Sequence, residues 1–176
     1  MKTMAEIEKT ELREVMGKCW MTHDGMWFFH CFRELGIETA NRLNKAAIAS
    51  LAGIEVGRMA RTLGFEPGAI RTWGEFQAFV SGVSEVFLPR FMRISLEFPG
   101  ENELYAEFEP EKCFAYLGIK SIGALDRYEC GVFYRLECWF RELGFPFQVE
   151  PEVLGCMMPG AGRCYRRYRF ESPRPS

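Results

Sequence analysis

One predicted helix places four residues that can ligate a metal ion or transfer a proton on a narrow stripe. They are Cys19, His23, His30 and Glu34, called the Cys/His stripe below, and they include both histidines of the chain. At 3.6 residues per turn, the other three lie within about 60° of Cys19 around the helix axis. A set of apolar side chains occupies a separate sector, so we expect the stripe to flank the core and to face a pocket. The set consists of Trp20, Met21, Phe28, Cys31, Phe32 and Leu35.

The ligand types on the Cys/His stripe favour zinc or iron over calcium. Cys19 and His23 are one helical turn apart and can reach one ion, as can His30 and Glu34. His30 lies about 10 Å along the axis from His23, which is too far for all four to share one ion. We therefore expect one of these pairs to be completed by another element. The alternative is that both histidines are hydrogen-bonded residues at the edge of the core.

The C-terminal loop contains two further candidate ligands. Cys156 and Cys164 flank a segment with one proline and two glycines that is longer than the roughly two to four residues of a zinc knuckle. This loop either completes a metal site with Cys19 and His23, or it is a glycine-rich turn with packed thiols. The sequence thus predicts metal ligands at the following positions: Cys19, His23, His30, Cys156 and Cys164.

A second hypothesis is a hydrolase acting on a small C–N substrate. His23 and Asp24 would be its acid–base groups, and Cys130 or Cys19 its nucleophile. Neighbouring residues on a helix point about 100° apart, so His23 and Asp24 cannot form a dyad with each other. A thiol beside arginines has a lowered pKa, and Cys130 is expected beside two arginines on a helix over residues 123–143. The alternative is a solvated polar face with an incidental cysteine.

Asp24 falls in the apolar sector of the first helix, where a buried carboxylate needs a partner. Asn41 and Asn44 on the following helix are candidate partners, and so is Arg135. Asp24 either ties two helices together or is an acid–base group with a shifted pKa. We also expect a small-molecule pocket between these helices and the C-terminal loop, contacted by Trp20, Trp27, Asn41, Asn44, Tyr134 and Arg135.

Composition narrows the classes of protein. Apolar residues make up 48% of the chain and charged residues 26%, as in folded globular proteins. No apolar run reaches the roughly 20 residues that cross a bilayer, and the charged N-terminus is unlike a signal peptide. Seven cysteines without an export signal predict reduced thiols in a cytoplasmic protein. The net charge of −2 disfavours nucleic acid as a partner, and homo-oligomerisation stays open.

Hydrophobic periodicity predicts an α+β fold, with a helical N-terminal half packed on a small, mainly antiparallel sheet of about four strands. The strands are predicted at residues 91–98, 104–108, 145–149 and 164–170. The first two flank a Pro-Gly turn and should form a hairpin. We expect one domain over residues 1–171 and a frayed tail over residues 172–176.

Two segments show a family resemblance. Residues 20–28, WMTHDGMWF, and residues 36–40, GIETA, fit the pattern W-x-x-x-D-G-x-W-F followed by G-x-E-x-A. This opening resembles an uncharacterised family of prokaryotic cytosolic proteins, which is distantly similar to L-2-amino-thiazoline-4-carboxylic acid hydrolase-like proteins. The closing C…P…C segment is also similar, whereas the cysteine-rich middle is shorter. The resemblance implies roles for Asp24, Trp20 and Trp27, but no particular reaction.

These patterns together predict a cytosolic domain that binds a small molecule or a metal ion. The first alternative is the hydrolase. The second is a protein- or nucleic-acid-interaction module that uses the Arg/Tyr-rich C-terminal strand, residues 163–169.

Overall fold

The computed structural model describes residues 1–66 and 68–171, so the predicted frayed tail lies outside the described residues. Within them, six α-helices and four strands form an α+β fold, which confirms the predicted class. The helices are α1 (Lys9–Leu35), α2 (Ile37–Thr62), α3 (Trp73–Val86), α4 (Phe114–Ser121), α5 (Gly131–Glu142) and α6 (Met158–Ala161). The strands are β1 (Ile94–Glu97), β2 (Glu103–Phe108), β3 (Phe147–Glu150) and β4 (Cys164–Phe170). None of the described helices combines the length and apolarity that a bilayer crossing requires.

The helices α1 and α2 form a long hairpin whose turn is the single residue Gly36. Its φ of +79° is open to glycine at little cost, and its N–H donates to the carbonyl of Phe32 at 3.0 Å. Helix α1 continues through Gly17, where a Cβ would lie only 2.5 Å from Pro89 Cγ. The absence of a side chain at Gly17 thus lets the loop after α3 pack directly against α1.

The sheet has the order β1-β2-β4-β3, and every neighbouring pair is antiparallel. Alternate residues of the central strand β4 are buried, namely Cys164, Arg166, Tyr168 and Phe170. Helices α3 and α5 cover this face with aromatic side chains: the ring of Phe76 lies 4.7 Å from that of Phe170, and Phe140 lies 5.2 Å from Tyr168. The core is therefore an aromatic layer between helices and sheet.

The predicted helix over residues 123–143 is wrong in its first half. Helix α5 begins only at Gly131, and the preceding Cys130 has an extended backbone, with φ −65° and ψ 110°. The N–H of Cys130 donates to the carbonyl of Leu154 at 2.7 Å, instead of continuing a helix. Because that acceptor is distant in sequence, helical periodicity could not reveal it.

The start of α5 packs closely against α2, which gives a first prediction. A Cβ on Gly131 would lie 2.7 Å from Asn44 Nδ2 and 3.1 Å from Ile48 Cδ1. We expect Gly131→Ala to lower the free energy of unfolding by about 1–3 kcal/mol through overpacking, measured by chemical denaturation. The matched control is Gly118→Ala in α4, where a Cβ would meet nothing within 4 Å and should be neutral or stabilising. Equal losses in both variants would contradict the packing argument.

Candidate functional site

The Cys/His stripe lies on the exposed side of α1. The prediction that it flanks the core and faces a pocket is therefore wrong. Helix α1 buries its opposite side, where Phe28 packs edge-on against Tyr128 with ring centroids 5.6 Å apart. Apolar residues occur on most sides of α1, so the neighbouring elements decided which side became buried.

The predicted metal ligands do not form one group. Within residues 1–66 and 68–171, no three His, Cys, Asp or Glu side chains are placed closely enough to hold a metal ion as they stand. Cys156 and Cys164 thus do not complete a group with Cys19 and His23. The predicted ligands on α1 and those of the C-terminal loop therefore lie at two separate places on the molecule.

Asp24 belongs to an ion-pair network that joins α1, α2 and α5. Its side chain is 52% exposed, so the expectation of a buried carboxylate is wrong, and Arg135 lies 3.9 Å away. Arg135 donates to Glu55 at 2.6 Å, and its guanidinium lies 4.8 Å from the centroid of the Trp20 ring. Of the candidate partners for Asp24, Arg135 is the one that this network contains, which supports a structural role.

The other predicted small-molecule contacts occupy separate places. Asn41 is buried and ties α2 to the segment before α5, because it donates to the carbonyl of Arg127 at 2.8 Å and accepts from the N–H of Glu129 at 3.2 Å. The ammonium of Lys45 lies 5.3 Å from the centroid of the Tyr134 ring. Asn44 faces the start of α5, and Trp27 is 66% exposed.

The predicted catalytic residues are not joined by hydrogen bonds in the described part of the chain. His23 is exposed on α1, Asp24 belongs to the network with Arg135, and Cys130 caps the start of α5. Burial raises the pKa of the Cys130 thiol, and this effect outweighs that of the nearby N–H groups, which lower it. This direction does not favour a thiol activated by arginines.

The thiols of four cysteines from four separate segments lie near enough to raise one another's pKa, although among the described residues no three of them are placed to hold a metal ion as they stand. These four, called the four-thiol cluster below, are Cys113 before α4, Cys130 before α5, Cys156 before α6 and Cys164 at the start of β4. The hydrogen bond from Cys130 to Leu154 brings two of the segments together, and the β2–β4 register places Cys164 opposite Phe108. The thiol of Cys164 lies near enough to the other three to interact with them electrostatically.

Backbone N–H groups lie near the sulfur atoms of the four-thiol cluster and affect their pKa. Cys113 and Cys130 are the N-cap residues of α4 and α5, but neither side chain makes a capping hydrogen bond. Nearby backbone N–H groups nevertheless act to lower the pKa of each of the four thiols. Such donors favour the thiolate, but burial dominates and raises the pKa of Cys113 and of Cys164 to about 12. Without a metal, both thiols are protonated at neutral pH.

A buried arginine lies beside the four-thiol cluster. Arg166 is 2% exposed and donates to the carbonyls of Val153 at 2.7 Å and Tyr165 at 2.8 Å. Its guanidinium stacks over the Phe133 ring at 4.8 Å and donates to the sulfur of Met157. Among the described residues, none of the ion pairs within 4.0 Å involves Arg166. Its charge acts on the carboxylate of Glu137 and on the thiols of Cys130 and Cys156, and it favours the ionised form of each.

Sequence reasoning missed Cys113 and Arg166. Cys113 has no ligand-like spacing to any other cysteine, so nothing local marked it. Arg166 was grouped with the exposed basic tail, although the period of two along β4 places it on the same face as Cys164 and Tyr168. That alternation was the available signal for a buried arginine.

Two arginines of the basic C-terminal segment are neutralised by β2. Arg163, just before β4, pairs with Glu107 at 2.8 Å, and Arg169 pairs with Glu103 at 3.0 Å. Arg166 is inside the core. Arg167 is exposed and has no ion pair within 4.0 Å among the described residues, so it is the free positive charge of this segment for the interaction-module hypothesis.

Comparison with known proteins gives a partial match. Residues 2–77 match a family described as a family of unknown function (DUF6125), which is less than half of the chain. The matched segment contains α1 and α2 and ends within α3, so it includes the Cys/His stripe but not the four-thiol cluster. This fits a similarity to an uncharacterised family. No curated protein and no solved structure matches the chain.

Proposed function

We propose that this protein is a metal-binding domain whose four-thiol cluster binds zinc or iron. The observation that supports it most is that four of the seven cysteines, from segments separate in sequence, lie near enough to affect one another's pKa. Thiolates prefer these metals, and four cysteines are the usual ligand set of structural zinc sites and of iron–sulfur clusters. The finer resemblance, to L-2-amino-thiazoline-4-carboxylic acid hydrolase-like proteins, assigns no reaction to this chain.

The surroundings of the cluster suit the charge of such a site. A zinc ion with four thiolates is doubly negative, and a buried anion needs nearby donors or cations. The backbone N–H groups at the starts of α4 and α5 supply donors. The guanidinium of Arg166 supplies a positive charge that no carboxylate within 4.0 Å neutralises in the described part of the chain.

Binding requires the thiols to approach one another, because among the described residues no three ligand side chains are placed to hold an ion as they stand. Rotation of a cysteine about χ1 between staggered wells moves its sulfur without changing the backbone. Cys156 and Cys164 also flank a short segment that contains Gly160 and Gly162, so this side of the cluster can adjust. We therefore expect the cluster to close around the ion.

The decisive experiment measures metal in tag-free protein purified without chelator, by elemental mass spectrometry. A His23→Ala/His30→Ala background removes the ligands on α1, so that the remaining metal reports on the four-thiol cluster. We expect near-stoichiometric zinc or iron in this background and a loss of most of it in Cys113→Ser and Cys156→Ser. Visible absorption distinguishes an iron–sulfur cluster from colourless zinc.

The matched control is Cys138→Ser, which alters a cysteine that is buried but lies outside the cluster. It should retain the metal. Circular dichroism shows whether each variant is folded, and the half-buried Cys156 is the substitution least expected to disturb packing. Metal-free protein, or equal metal content in Cys156→Ser and Cys138→Ser, would overturn the proposal.

A further inference from the structure

The Cys/His stripe is an incomplete pair of metal half-sites on an open surface. Cys19 with His23, and His30 with Glu34, are each one turn apart, which is the spacing that lets two side chains share an ion. All four side chains are exposed. Within the described residues, no third ligand lies near enough to complete either half-site.

Apolar side chains border the stripe on both sides. Trp20 and Trp27 lie on one side of it and Met26 on the other, with exposed fractions of 45%, 66% and 51%. Large exposed apolar side chains beside potential ligands are typical of a surface that becomes covered. The stripe and these three residues are called the α1 face below.

We propose that two copies of this chain pair antiparallel through the α1 face and bind a zinc-type ion at each end of the contact. A two-fold axis level with the peptide bond between Met26 and Trp27 places Cys19 level with Glu34 of the second copy. The same axis places His23 level with His30 of the second copy. Each half-site thus meets the complementary half-site, which gives two equal Cys-His-His-Glu sites per dimer.

The apolar borders are self-complementary in this arrangement. The two-fold axis places Trp27 beside Trp27 of the second copy, and Met26 beside Met26. A closed dimer needs this kind of self-matching surface. Antiparallel pairing also opposes the two helix dipoles, which is the more favourable orientation.

The size of the face explains why the metal should control pairing. A fully covered aromatic side chain buries roughly 150–250 Å², so two partly exposed tryptophans and a methionine cover only a few hundred Å² per copy. Stable interfaces bury about 800 Å² per partner. The apolar area alone is therefore too small to hold a stable dimer. Metal ligation by both copies supplies the remaining binding free energy.

The first test is sedimentation velocity of the full chain with a reductant, comparing excess EDTA with added zinc chloride. We expect monomer in EDTA and dimer in zinc. His23→Ala and His30→Ala should each weaken zinc-dependent association by more than the roughly 10–100-fold that loss of an outer-shell partner costs. Ser50→Ala, an exposed polar position on α2, is the control and should pair normally. An oligomeric state that is the same in EDTA and in zinc would overturn the proposal. Unchanged zinc-dependent pairing in both histidine variants would also overturn it.

The second test is complementation between two double variants, Cys19→Ser/His23→Ala and His30→Ala/Glu34→Gln. Each alone should fail to pair in zinc. Mixed together, an antiparallel heterodimer regains one complete site, so zinc-dependent pairing should return with one ion bound at the contact, in addition to any ion held by the four-thiol cluster of each copy. No recovery would overturn the antiparallel arrangement, because a parallel dimer regains no complete site. Cys156→Ser should pair like the wild type, which separates this inference from the four-thiol cluster.

Discussion

Replacing Arg166 by methionine should lower the free energy of unfolding by about 3–5 kcal/mol. The side chain is buried and donates to two backbone carbonyls, those of Val153 and Tyr165. Methionine has a similar length but no donors, so both carbonyls would lose charge-assisted hydrogen bonds. The stacking of the guanidinium over Phe133 would also be lost. Chemical denaturation followed by circular dichroism measures the effect.

The adjacent residue provides a matched control. Arg167 is in the same strand but on its exposed face, so Arg167→Met should change stability by less than about 0.5 kcal/mol. Arg166→Lys retains the charge but lacks the planar fork that reaches both carbonyls, so its loss should be intermediate. If Arg166→Met and Arg167→Met were equally stable, the buried arginine would have no structural role.

Replacing Glu55 by alanine should cost about 2–4 kcal/mol. Its carboxylate is 15% exposed and accepts from Arg135 at 2.6 Å and from the indole N–H of Trp139 at 2.8 Å. Removing it leaves a largely buried guanidinium and a buried indole N–H without this acceptor. Helix α2 would thereby lose its main polar tie to α5.

A double-mutant cycle isolates the pair. Glu55→Ala and Arg135→Ala together should cost less than the sum of the single variants, with a coupling above about 1 kcal/mol. Glu38→Ala is the control on the same helix, because its carboxylate is 79% exposed and lies 3.4 Å from Arg127, so it should cost less than about 0.5 kcal/mol. A coupling near zero would show that Glu55 and Arg135 act independently of each other.

The order and type of most elements followed from sequence. The capping box at Thr72 and Glu75 predicted the start of α3, and the structure confirms it: the Glu75 N–H donates to Thr72 at 3.3 Å, and Glu75 accepts from the Thr72 N–H at 2.8 Å. The hairpin of β1 and β2 followed from alternation and a turn. These signals succeed because caps, turns and side-chain periods act within a few residues.

The positions of the candidate ligands depended on distant contacts. Cys130 became a helix cap because its N–H found an acceptor at Leu154, and Asn41 became a structural tie because the segment before α5 lies against α2. The sequence nominated Cys130, Cys156 and Cys164 but assigned them to two different sites. It gave no sign of Cys113.

By itself, the sequence determined the fold class, the strands and the narrow angular spacing of the Cys/His stripe. Only the tertiary structure decided that this stripe faces outward, that four thiols from separate segments affect one another's pKa, and that the buried Arg166 acts on two of them. The physical reason is that spacing along one helix fixes relative angles, whereas burial depends on which neighbours cover which side. On α1, apolar residues occur on most sides. The close approach of Pro89 to Gly17 and of Tyr128 to Phe28 therefore determined which side of the helix is buried.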